Sequence, residues 1–291
     1  MQKRKKQIAE HALALFVEKG IENTSIQDII NCAGISKGTF YNYFSSKTEC
    51  IEVILELARY DATLLRAELM IGKNPKDVMV LAEQVGILSQ INRKRGLDIL
   101  FQQLLHSGKK ELKNLVLRQR LAELEWFSTR LIEIYGEEIR RYAFEASIIY
   151  YGMHQHLSFM SKLINQKSAQ SFNISKQTVH YLTKIIDSLI NGNTSILDYD
   201  KLKAFLDLHT TKMPMNKEII YVQLDKIINM NLQNSQQQVV EAVLDELNNT
   251  KKRSVVMNAL LKALIEEFVD TELESDIKKL SAYIWHMYSQ D

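Results

Sequence analysis

Apolar residues recur at helical spacing along most of this chain. Near the N-terminus, Ile8, Ala12, Leu15 and Phe16 follow the i, i+4, i+7, i+8 pattern of one helix face. We find no clear strand-like alternation of apolar and polar residues between turn residues, and only 2 prolines and 10 glycines interrupt the 291 residues. The pattern therefore predicts an all-α protein whose helices are joined by short connections.

Glycines and capping residues divide the beginning of the chain into four predicted helices. Gly20 and Gly34 supply stops after the first two helices, and Ser36 can cap a short third helix. A long fourth helix follows. Three short helices with a glycine-containing turn between the second and third are typical of a helix-turn-helix unit. The sequence thus predicts a helix-turn-helix head over about residues 1–60.

Amphipathic helices continue after this head. We expect a larger helical domain over 61–291, of which about 194–291 is an additional helical extension. The most polar connection, 165–175, is a candidate loop. The predicted helices span approximately 75–92, 96–106, 109–135, 137–164, 175–191, 199–210, 216–231, 235–248, 253–269 and 273–289.

The third predicted helix carries four aromatic residues within five positions. On a helical wheel Phe40 and Phe44 share the inner face, whereas Asn42 lies opposite them. The outward positions are Gly38, Thr39, Tyr41, Asn42 and Tyr43. This surface is rich in hydroxyl and amide groups, and no carboxylate occurs between residues 34 and 48. Alternatively, the two tyrosines pack against a neighbouring helix and expose only their hydroxyl groups.

Such a surface suits DNA, because hydroxyl, amide and backbone N–H groups reach phosphate oxygens and Asn and Thr can read base edges. Lys37 lies at the helix N-terminus, where the dipole favours a phosphate, and Lys47 opens the next helix. The formal net charge is only +2, so this surface would be a local patch, to which Lys3 to Lys6 add charge. The candidate DNA-binding residues are Thr24, Ser25, Ser36, Lys37, Gly38, Thr39, Tyr41, Asn42, Tyr43 and Lys47.

The run "TSIQDIINCAGISKGTFYNYFSSKTEC" closely resembles the signature of the TetR family of transcriptional regulators. The resemblance covers about residues 5–60. Cys32, Thr48 and Cys50 depart from the usual pattern, and none of them lies on the proposed DNA face. The resemblance implies an N-terminal DNA-binding head and a C-terminal helical domain that forms a homodimer and usually holds a small effector.

The resemblance also implies that two late helices pair with those of a second subunit. The best candidates are 137–164 and 175–191, each with an apolar stripe. The stripes consist of Ala143, Ala146, Ile149, Tyr150, Met153 and Leu157, and of Val179, Leu182, Ile185, Ile186 and Leu189. Alternatively, they close only onto their own subunit.

An effector pocket is expected among aromatic and amphipathic residues of the larger domain, since small-molecule sites are mostly apolar with a few polar groups. The candidate pocket residues are Phe101, His106, Trp126, Phe127, Tyr142, Tyr151 and His154. Each of them alone is also compatible with an ordinary core position. His154 and His156 point about 200° apart on a helix, so no shared metal is predicted.

Nothing in the sequence predicts catalysis or a cofactor: it has no nucleophile with its base and no glycine-rich phosphate loop. Cys32 and Cys50 lack metal-ligand spacing and are expected to be buried thiols in a reducing cytoplasm. We expect neither a signal peptide nor a membrane span.

The sequence therefore predicts a cytoplasmic, homodimeric transcriptional regulator. We expect a repressor that binds a pseudo-palindromic operator and is released by an unidentified small-molecule effector. The alternative is a helical protein that binds another protein and whose head binds DNA weakly and without selectivity.

Overall fold

The computed structural model describes residues 3–165, 171–192, 195–209, 217–230 and 232–289. These residues form helices and no strand, which confirms the predicted all-α class. None of the described helices is long and apolar enough to cross a membrane. The α-helices are α1 Lys3–Lys19, α2 Ile26–Ala33, α3 Lys37–Tyr43, α4 Lys47–Met70, α5 Val78–Arg95, α6 Leu97–His106, α7 Lys110–Tyr135, α8 Ala143–Asn165, α9 Ser171–Gly192, α10 Tyr199–His209, α11 Lys217–Ile228, α12 Asn234–Asn248, α13 Ser254–Glu267 and α14 Glu274–Ser289.

Three of these helices begin where the sequence pattern does not place them, and the first of them, α5, starts at Val78 rather than at 75. A 3-10 helix, Glu137–Ile139, precedes α8, so α8 itself starts at Ala143 rather than at 137. Helix α9 starts at Ser171 and takes in the end of the polar connection predicted at 165–175. Residues 166–170 of that connection lie outside the described residues.

The chain packs into two compact units. The first is drawn from residues 1–61 and 85–211, and the second from 62–84 and 212–291. These units describe packing. The division into a DNA-binding domain at 1–60 and a ligand-binding domain at 61–291 is functional, and it stays a prediction.

In the first unit, the head shares its hydrophobic core with later helices. Phe16, Phe40 and Phe44 are buried among α1–α4. Apolar side chains of α6 and of the beginning of α7 complete the same core: Leu97, Leu100, Leu104, Leu112, Leu115 and Val116. Burial of this apolar surface therefore stabilises the head and α6 together.

The rest of the first unit is built on α7, α8 and α9, which pack in chain order. Most of the two stripes predicted for dimerisation face inward: Ala143, Ala146, Tyr150, Val179, Leu182 and Ile186 are buried within the subunit. The prediction of a dimer interface is therefore corrected for these six residues, because their own subunit already covers them. It stays a prediction for the members that are not buried, which are Ile149, Met153, Leu157, Ile185 and Leu189. Helical periodicity identifies an apolar stripe but does not say which surface buries it.

A buried carboxylate fixes the chain after α9. Glu145 of α8 accepts hydrogen bonds from the Ser195 hydroxyl and from the backbone N–H groups of Ile196 and Leu197, at 2.7, 2.9 and 3.1 Å. Its charge is thus compensated by three donors, as a buried carboxylate requires.

The second unit is built mainly on α12, α13 and α14, which also pack in chain order. Glu246, near the end of α12, is buried. Its carboxylate accepts hydrogen bonds from the Arg253 guanidinium and, at 2.9 Å, from the Tyr288 hydroxyl. The Tyr288 oxygen in turn accepts from the backbone N–H of Arg253 at 3.0 Å. These contacts tie the C-terminal ends of α12 and α14 to the start of α13.

Candidate nucleic-acid interface

Local hydrogen bonds define both ends of the turn between α2 and α3. Ser25 caps α2 in a reciprocal box: the Asp28 N–H donates to the Ser25 hydroxyl, and the Asp28 carboxylate accepts from the Ser25 N–H at 2.8 Å. The Ser25 hydroxyl also donates to the Asp28 carboxylate at 2.6 Å, and this bond, together with the one from the Ser25 N–H, lowers the pKa of Asp28. Gly34 ends α2 at φ 58°, in the left-handed region that glycine adopts without strain. Ser36 then caps α3 by accepting from the Thr39 N–H at 3.1 Å.

Helix α3 divides into a buried and an exposed face as its sequence predicts. Phe40 and Phe44 are buried in the head's core, with ring centroids 5.4 Å apart. The side chain of Tyr41 is 47% exposed, whereas Tyr43 is partly buried against the core. Residues Ser36, Lys37, Gly38 and Asn42 are exposed as well. The exposed face of α3 thus combines the Lys37 ammonium group, the Asn42 amide and the Tyr41 hydroxyl with the backbone of Gly38, which has no side chain to cover it.

Two predicted DNA contacts make hydrogen bonds to the backbone of the head. Thr24 is 0% exposed, and its hydroxyl donates to the Gly20 carbonyl at 2.8 Å. The Lys47 ammonium group donates to the Ile21 and Thr24 carbonyl oxygens at 2.6 and 2.8 Å. Burial lowers the pKa of Lys47, against the opposing effect of the Glu22 carboxylate. Both side chains bond backbone groups of the turn before α2. The assignment of Thr24 as a DNA contact is therefore corrected, because its side chain is buried, whereas that of Lys47, which is half-buried, stays a prediction.

The basic residues of α1 differ in how far they are engaged. Lys5 lies 3.5 Å from the Glu49 carboxylate and 5.2 Å from the centre of the Phe44 ring. Lys6 lies 4.0 Å from Glu10, whereas Arg4 is exposed. The side chain of Lys3 lies outside the described residues.

The two cysteines also differ. Cys50 is buried as predicted, and burial raises the pKa of its thiol to about 12. Cys32 is exposed, with its sulfur 3.7 Å from His11 Nδ1. The prediction of two buried thiols is therefore wrong for Cys32, because its position on the short α2 faces away from the core.

The predicted effector residues are only partly brought together. Trp126, Phe127, Tyr151 and His154 lie in one aromatic cluster between α7 and α8. Phe101 packs instead against the core of the head, and His106 is exposed, with Nδ1 2.7 Å from the Gln102 carbonyl. Tyr142 is buried just before α8. We refer to Trp126, Phe127, Tyr150, Tyr151 and His154 as the aromatic cluster.

Tyr150 is the central member of the aromatic cluster and was not among the predicted pocket residues. Its ring stacks on Phe127 at 4.5 Å and on His154 at 5.7 Å, and burial raises the pKa of its hydroxyl group. The signal in the sequence was the Tyr150–His154 spacing of one helical turn, which places the two rings on the same face of α8.

Polar groups border the aromatic cluster. The Tyr151 hydroxyl donates to Glu123 at 2.6 Å, and His154 Nε2 lies 3.0 Å from the Ser175 hydroxyl. Burial lowers the pKa of His154, which favours the neutral ring. His156, two residues away, is exposed, so the two histidines diverge.

Known proteins resemble both the head of this chain and nearly its whole length. Residues 8–54 match the family described as "Bacterial regulatory proteins, tetR family". The chain is 26% identical to "Uncharacterized HTH-type transcriptional regulator YuxN" of Bacillus subtilis (strain 168), over 96% of this chain and 97% of the relative. It is 25% identical to "Uncharacterized HTH-type transcriptional regulator YerO" of the same organism, over 91% and 90%.

A shorter similarity is to a repressor. Over 52 residues, 18% of this chain and 26% of the relative, the chain is 38% identical to "HTH-type transcriptional repressor KstR2" of Mycobacterium tuberculosis (strain ATCC 25618 / H37Rv). No solved structure matches the chain. The two long alignments leave less than a tenth of this chain uncovered, so they take in most of the C-terminal extension.

Proposed function

We propose that residues 8–54 form a helix-turn-helix of the TetR family of transcriptional regulators. On this basis we propose that the chain is a homodimeric repressor and that a small-molecule effector releases it from its operator. As a DNA-binding transcriptional regulator it would act in the cytoplasm of a bacterium, where the chromosome lies. The repressor named among its relatives supports repression over activation.

The observation that carries the proposal is the exposed face of α3. Lys37 and Asn42 project from a helix whose opposite face is fixed in the core by Phe40 and Phe44. A recognition helix must combine these two properties, because it presents donors to a groove while its own position stays fixed. We propose Ser25, Ser36, Lys37, Gly38, Thr39, Tyr41, Asn42 and Tyr43 as the DNA-contacting residues, with Arg4 adding charge.

A second exposed surface supports dimerisation. We define the α8 stripe as Ile148, Gly152, Phe159, Met160 and Leu163, which recur at helical spacing and are all exposed. Phe159 and Leu163 are each 58% exposed. A side chain at position 152 would meet no atom within 4 Å, so a second helix can approach closely there. We propose that a second copy of the chain covers the α8 stripe.

Such a dimer suits the proposed operator. A two-fold axis places two recognition helices in successive major grooves, about 34 Å apart, and therefore requires a pseudo-palindromic site. An effector that prefers a dimer with another head spacing would release the DNA. We propose the aromatic cluster as the effector site, since apolar rings bordered by Glu123 and Ser175 resemble a small-molecule site in composition.

The proposal is tested by binding to the DNA upstream of the chain's own gene. In a footprint, the protein should protect one discrete site in that DNA. Its affinity for this site should fall steeply as the salt concentration rises. Lys37→Ala should weaken binding. It should also reduce the steepness of log K against log salt by about one, the value expected for the loss of one phosphate contact. Lys113→Ala removes an exposed lysine from α7 and should change neither quantity.

The opposite result would favour the alternative class. Weak binding with no preference for any sequence in this DNA would contradict the proposal. The remaining candidate would then be a helical protein that binds a protein partner. A Lys37→Ala effect no larger than that of Lys113→Ala would remove α3 from the interface.

A further inference from the structure

The turn between α1 and α2 is held by side chains from two other helices. We define the α1–α2 turn as residues 20–25. Its backbone cannot be satisfied by helical hydrogen bonds alone, because the last carbonyls of α1 and the first N–H groups of α2 have no partner within their own helix. Thr24, buried inside the turn, bonds the Gly20 carbonyl. Two further side chains that bond this part of the backbone come from α4 and α6.

Gln103 of α6 holds the turn from one side. Its amide oxygen accepts from the Ile21 N–H at 2.8 Å, and its amide nitrogen donates to the Phe16 carbonyl at 3.1 Å. Both ends of one side-chain amide are therefore used on backbone groups 82 and 87 residues away. A glutamine is suited to this role, since it offers a donor and an acceptor on one rigid group.

Lys47 of α4 holds the turn from the other side. It donates to the carbonyl oxygens of Ile21 and Thr24. Ile21 is thus fixed twice, by Gln103 at its N–H and by Lys47 at its carbonyl. The turn leads directly into α2 through the Ser25 cap, and Lys47 directly follows the segment that ends α3.

Helix α6 is itself fixed against the head. Leu97, Leu100 and Leu104 are fully buried in the shared core. Gly96, at φ 71°, lies so close to Val17 of α1 that an added Cβ would come within 3.2 Å of a Val17 methyl group. Gln103 therefore projects from a support that is packed onto α1.

We propose that Gln103 is a positioning residue for operator binding: it fixes the α1–α2 turn and so holds α2 and α3 in the arrangement that reads DNA. It acts through Ile21 and Phe16, because both polar ends of its amide are occupied by backbone groups. The inference rests on the proposed function.

The first test is Gln103→Leu, which keeps the size of the side chain and removes both hydrogen bonds. Affinity for the upstream operator should fall about tenfold, as expected when only about a tenth of the molecules hold the binding arrangement. Affinity for a random duplex should stay close to that of the unmodified protein, and the thermal unfolding midpoint, which falls because two backbone groups lose a partner, should stay above the temperature of the binding assay. Gln102→Leu changes the neighbouring exposed glutamine and serves as the matched control.

The second test is Gln103→Glu, which also decides the matter if the leucine variant does not fold. The glutamate keeps an acceptor for the Ile21 N–H but, when ionised, faces the Phe16 carbonyl without a donor. Its operator affinity relative to the unmodified protein should be low at about pH 8 and recover as the pH falls toward the pKa of the introduced carboxyl group, ~4.3 for an exposed glutamate and higher where burial disfavours its charge, because the protonated group can donate. Packing alone would give no such pH-dependent ratio.

The outcomes separate this inference from the proposed function. If the unmodified protein binds no site selectively, both fall together. If it binds selectively and Gln103→Leu binds equally well, or loses operator and random-duplex affinity in parallel, only the role of Gln103 is overturned. A pH-independent ratio for Gln103→Glu likewise overturns it.

Discussion

The Lys47 ammonium group lies between two carbonyl oxygens of the α1–α2 turn and is half-buried. Lys47→Met should lower the free energy of unfolding by about 1–3 kcal/mol, because it leaves two carbonyl groups without their charged donor. Urea unfolding followed by circular dichroism measures this, with Lys113→Met as the exposed control. The salt slope of operator binding tests the predicted phosphate contact of Lys47 separately: it falls by about one if the third N–H group of the ammonium reaches a phosphate, and it stays unchanged if the two carbonyl bonds are its whole role.

Tyr41 and Tyr43 are neighbours with different surroundings. Tyr41 is exposed, and its ring meets Phe40 edge-on at 5.5 Å, whereas Tyr43 packs on the core. Tyr41→Ala should therefore weaken operator binding about tenfold, the loss expected for one hydrogen bond to a phosphate, and leave the melting temperature nearly unchanged. Fluorescence anisotropy and a thermal melt check the two parts.

Tyr43→Ala is the comparison for Tyr41→Ala. It should lower the melting temperature, because it removes a ring from the core of the head. Equal effects of the two substitutions on stability would contradict the assignment of Tyr41 to the exposed face.

At the residue scale, the sequence predicts orientation well and long-range partners poorly. The helical wheel places Phe40 and Phe44 inside and Asn42 outside because those positions depend on local periodicity alone. It cannot place Lys47, whose acceptors lie 23 and 26 residues earlier in the chain, nor pair Gln103 with Phe16. Such contacts depend on tertiary packing and leave no pattern in a short window.

At the level of elements, α8 presents two apolar faces. One, with Ala146 and Tyr150, is buried by α7 and α9, and the other is the α8 stripe. Periodicity alone favoured the buried face as the interface, because its apolar residues are more regular. The exposed face becomes recognisable only when the inner neighbours of the helix are known.

Leu163→Glu tests the α8 stripe. If a second copy covers it, the buried charge should dissociate the dimer, so that the mass in light scattering falls from twice 33.7 kDa to 33.7 kDa. Operator affinity should fall with it, because the two half-sites no longer bind jointly. Leu117→Glu replaces an exposed leucine of α7 and should leave the mass unchanged. A monomeric unmodified protein, or a dimeric Leu163→Glu variant, would refute this interface.

On the scale of the whole molecule, each compact unit contains one of the two tryptophans, Trp126 in the first and Trp285 in the second. The fluorescence of Trp126→Phe therefore reports only the second unit. The C-terminal extension is predicted as helical, and its described helices of 11 to 16 residues follow the apolar periodicity of the sequence. The packing of residues 212–291 together with residues 62–84 is not predictable from the sequence, because the two segments lie more than a hundred positions apart.

The second unit should be sensitive to acid through Glu246. The Arg253 guanidinium, helped by the Tyr288 hydroxyl, holds the pKa of this carboxyl group below its usual range. A carboxylate with a lowered pKa in the folded state contributes stability above its unfolded pKa, and that stability is lost as the pH falls through the folded value, below about pH 5. In the Trp126→Phe background, Glu246→Gln should lower the melting temperature at pH 7 and show a smaller further loss between about pH 5 and pH 3. Glu266→Gln, which removes one partner of an exposed ion pair 3.9 Å from Lys262, should change neither. If the melting temperature falls equally between pH 5 and pH 3 with and without Glu246→Gln, other carboxylates govern the acid unfolding of this unit.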